Sequence, residues 1–112
     1  MLGSESESPE IPEEPERPID YIVREVMDGD TFRIVGKWFR RKRKGDVIRA
    51  YGYDTPEKDK PGYFEAKQKL TDLILGKTIT VVKVRLMDHF GRLIAHVVFE
   101  GKELKDYFRK PK

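Results

Sequence analysis

The chain contains no cysteine and no asparagine, and Gln68 is its only glutamine. The lack of cysteine excludes disulfide bonds and thiolate metal sites. No apolar run approaches the roughly 20 residues that a membrane-spanning helix needs, so we expect no transmembrane segment. A length of 112 residues suits one compact domain, since single domains commonly hold about 100 to 150 residues. Any chemistry must therefore come from oxygen and nitrogen side chains on one small domain.

Charge is unevenly distributed along the chain. Residues 1–18 contain six glutamates and one basic residue, Arg17, so the net charge of +3 conceals a body of +8 over residues 19–112. Residues 1–18 also carry too few aliphatic side chains to offset the entropy of ordering the backbone, which predicts a disordered acidic tail. The basic body suits a polyanionic partner such as DNA or RNA. Residues 1–18 show no basic and apolar signal pattern, so the residues alone neither show nor exclude export.

Five β-rich runs and two helical stripes give the fold prediction. The predicted strands cover residues 21–27, 31–39, 47–53, 78–86 and 92–99. Apolar residues at helical spacing predict a helix within residues 62–76, and a second stripe from Leu104 to Phe108 predicts a short final helix before Pro111. Three strands, a helix and two strands is the order of an OB-fold, so residues 19–112 are predicted to form a β-rich α+β domain with a five-stranded barrel.

Two clusters of acidic residues stand where strands end. Asp28 and Asp30 flank a glycine between the first two predicted strands, where a plain hairpin turn is the simplest interpretation. A carboxylate pair beside a glycine also suits a hard cation, because the small glycine is expected to leave room for the ion and its waters. Arg49, Asp54, Thr55 and Glu57 follow at the end of the third strand. Both clusters can meet at one end of a small barrel, which favours a carboxylate site over scattered surface charge.

A third cluster joins the fourth and fifth predicted strands. Asp88 and Gly91 read as turn formers around His89 and Phe90, and Arg92 then begins the last strand. An arginine at this position can direct its planar fork of donors at phosphate oxygens.

Taken in order, the three clusters resemble the staphylococcal-nuclease-like (thermonuclease) family. The matching motifs are Asp-Gly-Asp-Thr, then Ile-Arg followed by Asp-Thr-Pro-Glu, then Asp with Gly-Arg three and four positions later, all within residues 21–102. The resemblance implies a calcium-dependent nuclease that cuts the 5′ P–O bond of DNA or RNA and leaves 3′-phosphates. It also favours an extracellular or surface-tethered protein, which we expect to be monomeric.

The resemblance assigns a role to each matching residue. It implies that Asp30, Asp54 and the backbone carbonyl of Thr55 bind Ca²⁺, with Asp28 close by. Glu57 matches the carboxylate that positions or deprotonates the attacking water. Arg49 and Arg92 match the two arginines that hold the phosphodiester. Phe90 stands where many relatives carry a tyrosine, so one hydroxyl that could contact a phosphate is missing.

A basic run lies between the second and third strands, beside Trp38 and Phe39. It could be a solvated hairpin tip, or it could attract a nucleic acid strand while an aromatic ring stacks on a base. The predicted nucleic-acid surface contains His89 and Phe90 of the third cluster. Its basic residues are Lys37, Arg40, Arg41, Lys42, Arg43 and Lys44.

Two alternative functions remain open on the sequence. The same fold occurs as nuclease-like modules that bind nucleic acid or protein without catalysis, but such modules should lack at least one of the acids or arginines named above, and this chain keeps them all. A tethered scaffold, whose acidic tail recruits a partner, would bind neither metal nor nucleotide with its body.

Overall fold

The structure, a computed structural model, describes residues 17–108. Within them lie two helices, α1 (Tyr63–Ile74) and α2 (Leu104–Tyr107). The strands of this part of the chain are β1 (Ile19–Asp28), β2 (Thr31–Arg40), β3 (Arg43–Ala50), β4 (Thr78–Met87), β5 (Leu93–Phe99) and β6 (Lys102–Glu103). The sheet order is β3-β2-β1-β4-β5-β6, and β3 also pairs with β5. That extra pairing closes β1 to β5 into a barrel, which confirms the predicted OB-like fold.

The closure of the barrel decides which loops meet. Strands β3 and β5 run parallel, with Arg49 opposite Ile94, whereas β2 and β3 run antiparallel, with Thr31 opposite Arg49. The β1–β2 turn, the end of β3 and the start of β5 therefore share one end of the barrel. The three sequence clusters all lie at or next to these points.

The barrel interior is filled by inward-facing side chains at alternate strand positions. Phe32, Ile34, Ile48 and Ala95 have no exposed surface, and full burial of a side chain as large as Phe or Ile contributes about 1.5–3 kcal/mol. The helix α1 packs on β1 and buries Leu70. The core thus fixes the strands whose ends carry the clusters.

The third strand differs from its prediction at both ends. It begins at Arg43 and ends at Ala50, not at residue 53. The chain leaves the sheet because Gly52 adopts a φ of +109°, a left-handed conformation that favours glycine. Tyr53 then stacks on Phe108 with ring centroids 4.6 Å apart. Its aromatic ring serves packing between the loop and α2 rather than strand pairing.

The predictions for the N-terminal tail and the C-terminal residues are only partly covered by the described residues. The acidic tail, apart from residues 17 and 18, and Pro111 lie outside the described residues. The two-residue strand β6, which pairs with β5, was not predicted. No helix within residues 17–108 has the length and apolar character needed to cross a bilayer.

Candidate active site

An open cleft of about 730 Å³ lies at the end of the barrel where the three clusters meet. All seven predicted catalytic and metal-site residues line this cleft, together with Pro56 and Lys58. The seven are Asp28, Asp30, Arg49, Asp54, Thr55, Glu57 and Arg92. The fold thus brings together side chains from the β1–β2 turn, the end of β3, the loop before α1 and the start of β5.

Asp30 is buried in the cleft wall and held by several hydrogen bonds. Its side chain is only 8% exposed. The hydroxyl of Thr31 donates to Oδ1 at 2.9 Å, and Nε and Nη2 of Arg49 each lie 3.3 Å from Oδ2. The carbonyl oxygen of Asp30 accepts a hydrogen bond from the amide of Ala50 at 2.9 Å. Backbone and side chain are both held, so this carboxylate has little freedom to move.

Arg49 joins the two acidic clusters. Its Nη2 atom lies 2.7 Å from Oδ1 of Asp54, whose side chain is 89% exposed, and the same nitrogen contacts Asp30. Two carboxylates from separate turns therefore converge on one positive centre. This arrangement is chemically compatible with a hard cation, because carboxylate and carbonyl oxygens are the ligands that Ca²⁺ takes.

The protein offers few such ligands. Within residues 17–108, no three acidic or histidine side chains form a group that could hold a metal ion by themselves. A cation held by Asp30 and Asp54 would need further oxygens, and Thr55 follows Asp54 directly with its backbone carbonyl. Water or a substrate phosphate would have to complete the coordination shell.

Gly29 has a packing function that the sequence did not indicate. We expected this glycine to leave room for an ion, but a Cβ atom on it would lie 2.7 Å from Cβ of Ala66 and 2.8 Å from Cγ2 of Thr55. The space is thus already filled by α1 and by the loop after β3. Only glycine allows the β1–β2 turn to approach both, and this close contact holds the two acidic clusters together.

Two tyrosines that sequence reasoning missed support the β1–β2 turn. The hydroxyl of Tyr63 donates to Oδ1 of Asp28 at 2.9 Å, and this bond raises the pKa of Tyr63. The hydroxyl of Tyr53 donates to the carbonyl of Gly29 at 2.9 Å, and burial, then the charge of Asp30, raise the pKa of Tyr53. Both phenols thus stay protonated as donors. The phenol hydroxyl of each tyrosine was the available signal, but its partner could not be inferred from the sequence.

Arg92 is anchored by the turn that precedes it. Asp88 Oδ1 accepts hydrogen bonds from the amides of Phe90 (3.0 Å) and Arg92 (2.9 Å), and Oδ2 accepts one from Arg92 Nε at 2.7 Å. Burial alone would raise the pKa of Asp88, but these bonds outweigh it and the pKa lies below its usual value. Asp88 binds Arg92 through Nε and so fixes the guanidinium at the cleft. The terminal nitrogens Nη1 and Nη2 can therefore donate to another acceptor.

The two other residues of the third cluster do not line the cleft. His89 and Phe90 are exposed, and their rings lie 4.2 Å apart. The ring of Phe90 is 5.4 Å from the guanidinium carbon of Arg92. They therefore border Arg92 without forming part of the cleft wall.

The basic run occupies the opposite end of the barrel. Residues 37–44, here called the basic hairpin, form the β2–β3 tip, where Arg40 pairs with Arg43. The 10 residues of β2 span about 30 Å at roughly 3.3 Å per residue. Trp38 is buried and donates from Nε1 to the carbonyl of Val47, whereas Phe39 is 74% exposed. Phe39 is thus the aromatic ring available for stacking on this hairpin.

No model of a known protein family matches the chain, and no curated protein matches it.

Proposed function

We propose that this protein is a calcium-dependent nuclease of the staphylococcal-nuclease type, which hydrolyses phosphodiester bonds of DNA or RNA. The observation that carries the proposal is the cleft, in which four carboxylates and three basic side chains from three motifs face one open space. A phosphodiester is an anion, so its hydrolysis needs both positive groups for the phosphate and a base for the water. The lining of the cleft supplies both.

Glu57 acts on the attacking water. Its side chain is exposed at the cleft wall, and no other side chain within residues 17–108 hydrogen-bonds to it. A carboxylate in this setting can accept a proton from water as its oxygen attacks phosphorus; the P–O5′ bond then breaks, O5′ takes a proton from solvent to give a 5′-hydroxyl, and the other product ends in a 3′-phosphate. Glu57 is thus the general base or water-positioning group.

Arg49 and Arg92 hold the phosphate and stabilise the charge that develops on it. Arg92 is oriented by Asp88 before substrate arrives, which lowers the reorganisation needed in the transition state. Arg49 contacts Asp30 and Asp54 through Nε and Nη2, so Nη1 is the nitrogen that would meet a phosphate oxygen when substrate binds. The two carboxylates thus orient Arg49 as Asp88 orients Arg92.

Asp30, Asp54 and the carbonyl of Thr55 would hold the Ca²⁺ ion, with Asp28 alongside. The ion would supply positive charge that neutralises the phosphate and helps to orient it. The hydrogen bond from Tyr63 fixes Asp28 near this point. The basic hairpin adds electrostatic attraction for a nucleic acid strand that does not depend on its sequence.

A calorimetric titration tests the site directly. Ca²⁺ should bind weakly alone and more tightly with a 3′,5′-bisphosphorylated nucleotide, because phosphate oxygens complete the coordination shell. Asp54→Asn should abolish this linkage without unfolding the protein, since Asp54 is exposed; Asp72→Asn, an exposed change on α1, is the matched control. Equal Ca²⁺ affinity with and without nucleotide would contradict the proposed site.

A further inference from the structure

The basic hairpin lies beside the point where the N-terminal part of the chain enters the barrel. Ile19, the first residue of β1, lines a small groove together with Phe39 and Arg40. Residues 1–16, here called the acidic segment, precede this point by only two residues. The acidic segment is therefore attached at the end of the barrel that carries the basic hairpin.

The two segments have opposite charges of equal size. The acidic segment contains six glutamates and no basic residue, and the basic hairpin contains six lysines and arginines and no acidic residue. The nearest carboxylate after the hairpin in the sequence, Asp46, contacts Arg24 at 2.8 Å and Arg33 at 3.2 Å, and of the hairpin residues Lys37 also interacts with it electrostatically. Lys42, Arg43 and Lys44 are exposed. The hairpin is thus a positive surface that suits a polyanion.

The cleft at the other end of the barrel does not suit the same segment. Its wall carries four carboxylates against Arg49, Lys58 and Arg92, so its net charge is negative. The acidic segment, at up to about 3.3–3.6 Å per residue, could span roughly 50 Å. Its length would therefore let it contact either the hairpin or the cleft. Charge favours the hairpin, because its six positive side chains attract glutamates, whereas the cleft without a bound cation has one more negative than positive side chain.

We propose that the acidic segment docks on the basic hairpin of its own chain and competes there with nucleic acid. A short tether gives a local concentration in the millimolar range, so even weak ion pairs keep the two segments in contact. The Debye length of about 8 Å at physiological ionic strength means that salt weakens this contact. The docking itself does not rest on the proposed nuclease activity; only its effect on DNA binding requires the hairpin to contact DNA.

A spin label can report the contact, because the chain has no cysteine of its own. With the label on Ser6→Cys, the backbone amides of residues 37–44 should broaden more than those of residues 54–58, and about 0.5 M salt should remove the difference by screening. Changing Lys42, Arg43 and Lys44 to glutamine should also remove it. Uniform broadening, or broadening strongest at the cleft, would overturn the docking.

Two further measurements separate the remaining outcomes. In a mixture of labelled chain and unlabelled ¹⁵N chain, broadening of the hairpin would show that a second copy is the partner and would refute contact within one chain. If about nine-tenths of molecules are docked, changing all six glutamates to glutamine should tighten binding of single-stranded DNA, measured with chelator present, about ten-fold.

A matched pair of variants controls for overall charge. Glu13, Glu14 and Glu16 changed to glutamine should tighten DNA binding, whereas Glu65→Gln, Asp72→Asn and Glu100→Gln together, an equal change on exposed residues elsewhere, should not. An equal gain from both triple variants would refute competition at the hairpin.

Discussion

The cleft and the basic hairpin, at opposite ends of one barrel, use charge in different ways. In the cleft, charges of both signs are close together and partly buried, with Asp30 fixed by Thr31 and Arg49. On the hairpin, charges of one sign stand on an exposed tip. Preorganised pairs of this kind suit catalysis, whereas an exposed patch of one sign suits attraction of a polyanion without sequence preference. Changes in the two regions should therefore affect different measurable quantities.

The largest effect is expected when an arginine of the cleft is removed. Arg49→Ala and Arg92→Ala should each slow single-turnover cleavage by about 10²–10³, the scale of a lost transition-state donor, with a smaller loss of DNA affinity. Arg85→Ala, which removes an exposed arginine outside the cleft, is the control. Wild-type turnover in either cleft variant would remove the distinction between the two regions.

Glu57→Gln should come next, with cleavage slowed by about 10² or more. Since the side chain is exposed and makes no hydrogen bond with another side chain in the described part of the chain, folding and DNA affinity should be unchanged. Glu65→Gln, an exposed glutamate on α1, should keep full activity. Near-native turnover of Glu57→Gln at saturating Ca²⁺ would show that another group handles the water.

Neutralising the hairpin should give the reverse pattern. With Lys42, Arg43 and Lys44 changed to glutamine, the slope of log affinity against log salt for single-stranded DNA should fall by about 2, at roughly 0.7 per phosphate contact. Turnover at saturating substrate should change little, because these residues are remote from the cleft. A loss of turnover without loss of affinity or salt dependence would contradict the comparison.

The smallest effect concerns the support of Arg92. The pKa of Asp88 is lower when folded than when unfolded, so its contribution to stability is present above the unfolded pKa and is lost as pH falls through the folded pKa. Asp88→Asn should therefore lower the free energy of unfolding at pH 7 by about 1–3 kcal/mol. In urea titrations the difference from wild type should shrink on acidification, whereas Asp72→Asn should cost little at any pH. A gap independent of pH would contradict the assigned ion pair.

The sequence predicted the fold because its signals are local. Alternating apolar residues mark the strands, and the acidic clusters stand at strand ends, so their meeting at one end of the barrel followed from the topology. The contacts that hold the cleft together are not local. The bond from Tyr63 to Asp28 joins residues 35 positions apart, and the packing of Gly29 against Ala66 depends on how α1 sits on the barrel. No pattern in either segment specifies its partner.

The error in the third strand has the same origin. Tyr51 and Tyr53 are good strand formers by propensity, but Gly52 takes a left-handed conformation and Tyr53 stacks on Phe108. Packing against α2 therefore overrides local propensity at the point where the chain turns toward Asp54.

The most direct test of the account is cleavage of heat-denatured DNA by the full chain in Ca²⁺ and in chelator, with analysis of the ends produced. The account predicts fragments with 3′-phosphate ends in Ca²⁺, none in chelator, and strongly reduced cleavage by Glu57→Gln at equal DNA binding. DNA that is bound but left uncut in Ca²⁺ would instead identify a nucleic-acid-binding module without catalysis, and full cleavage in Mg²⁺ with calcium chelated would contradict the calcium site.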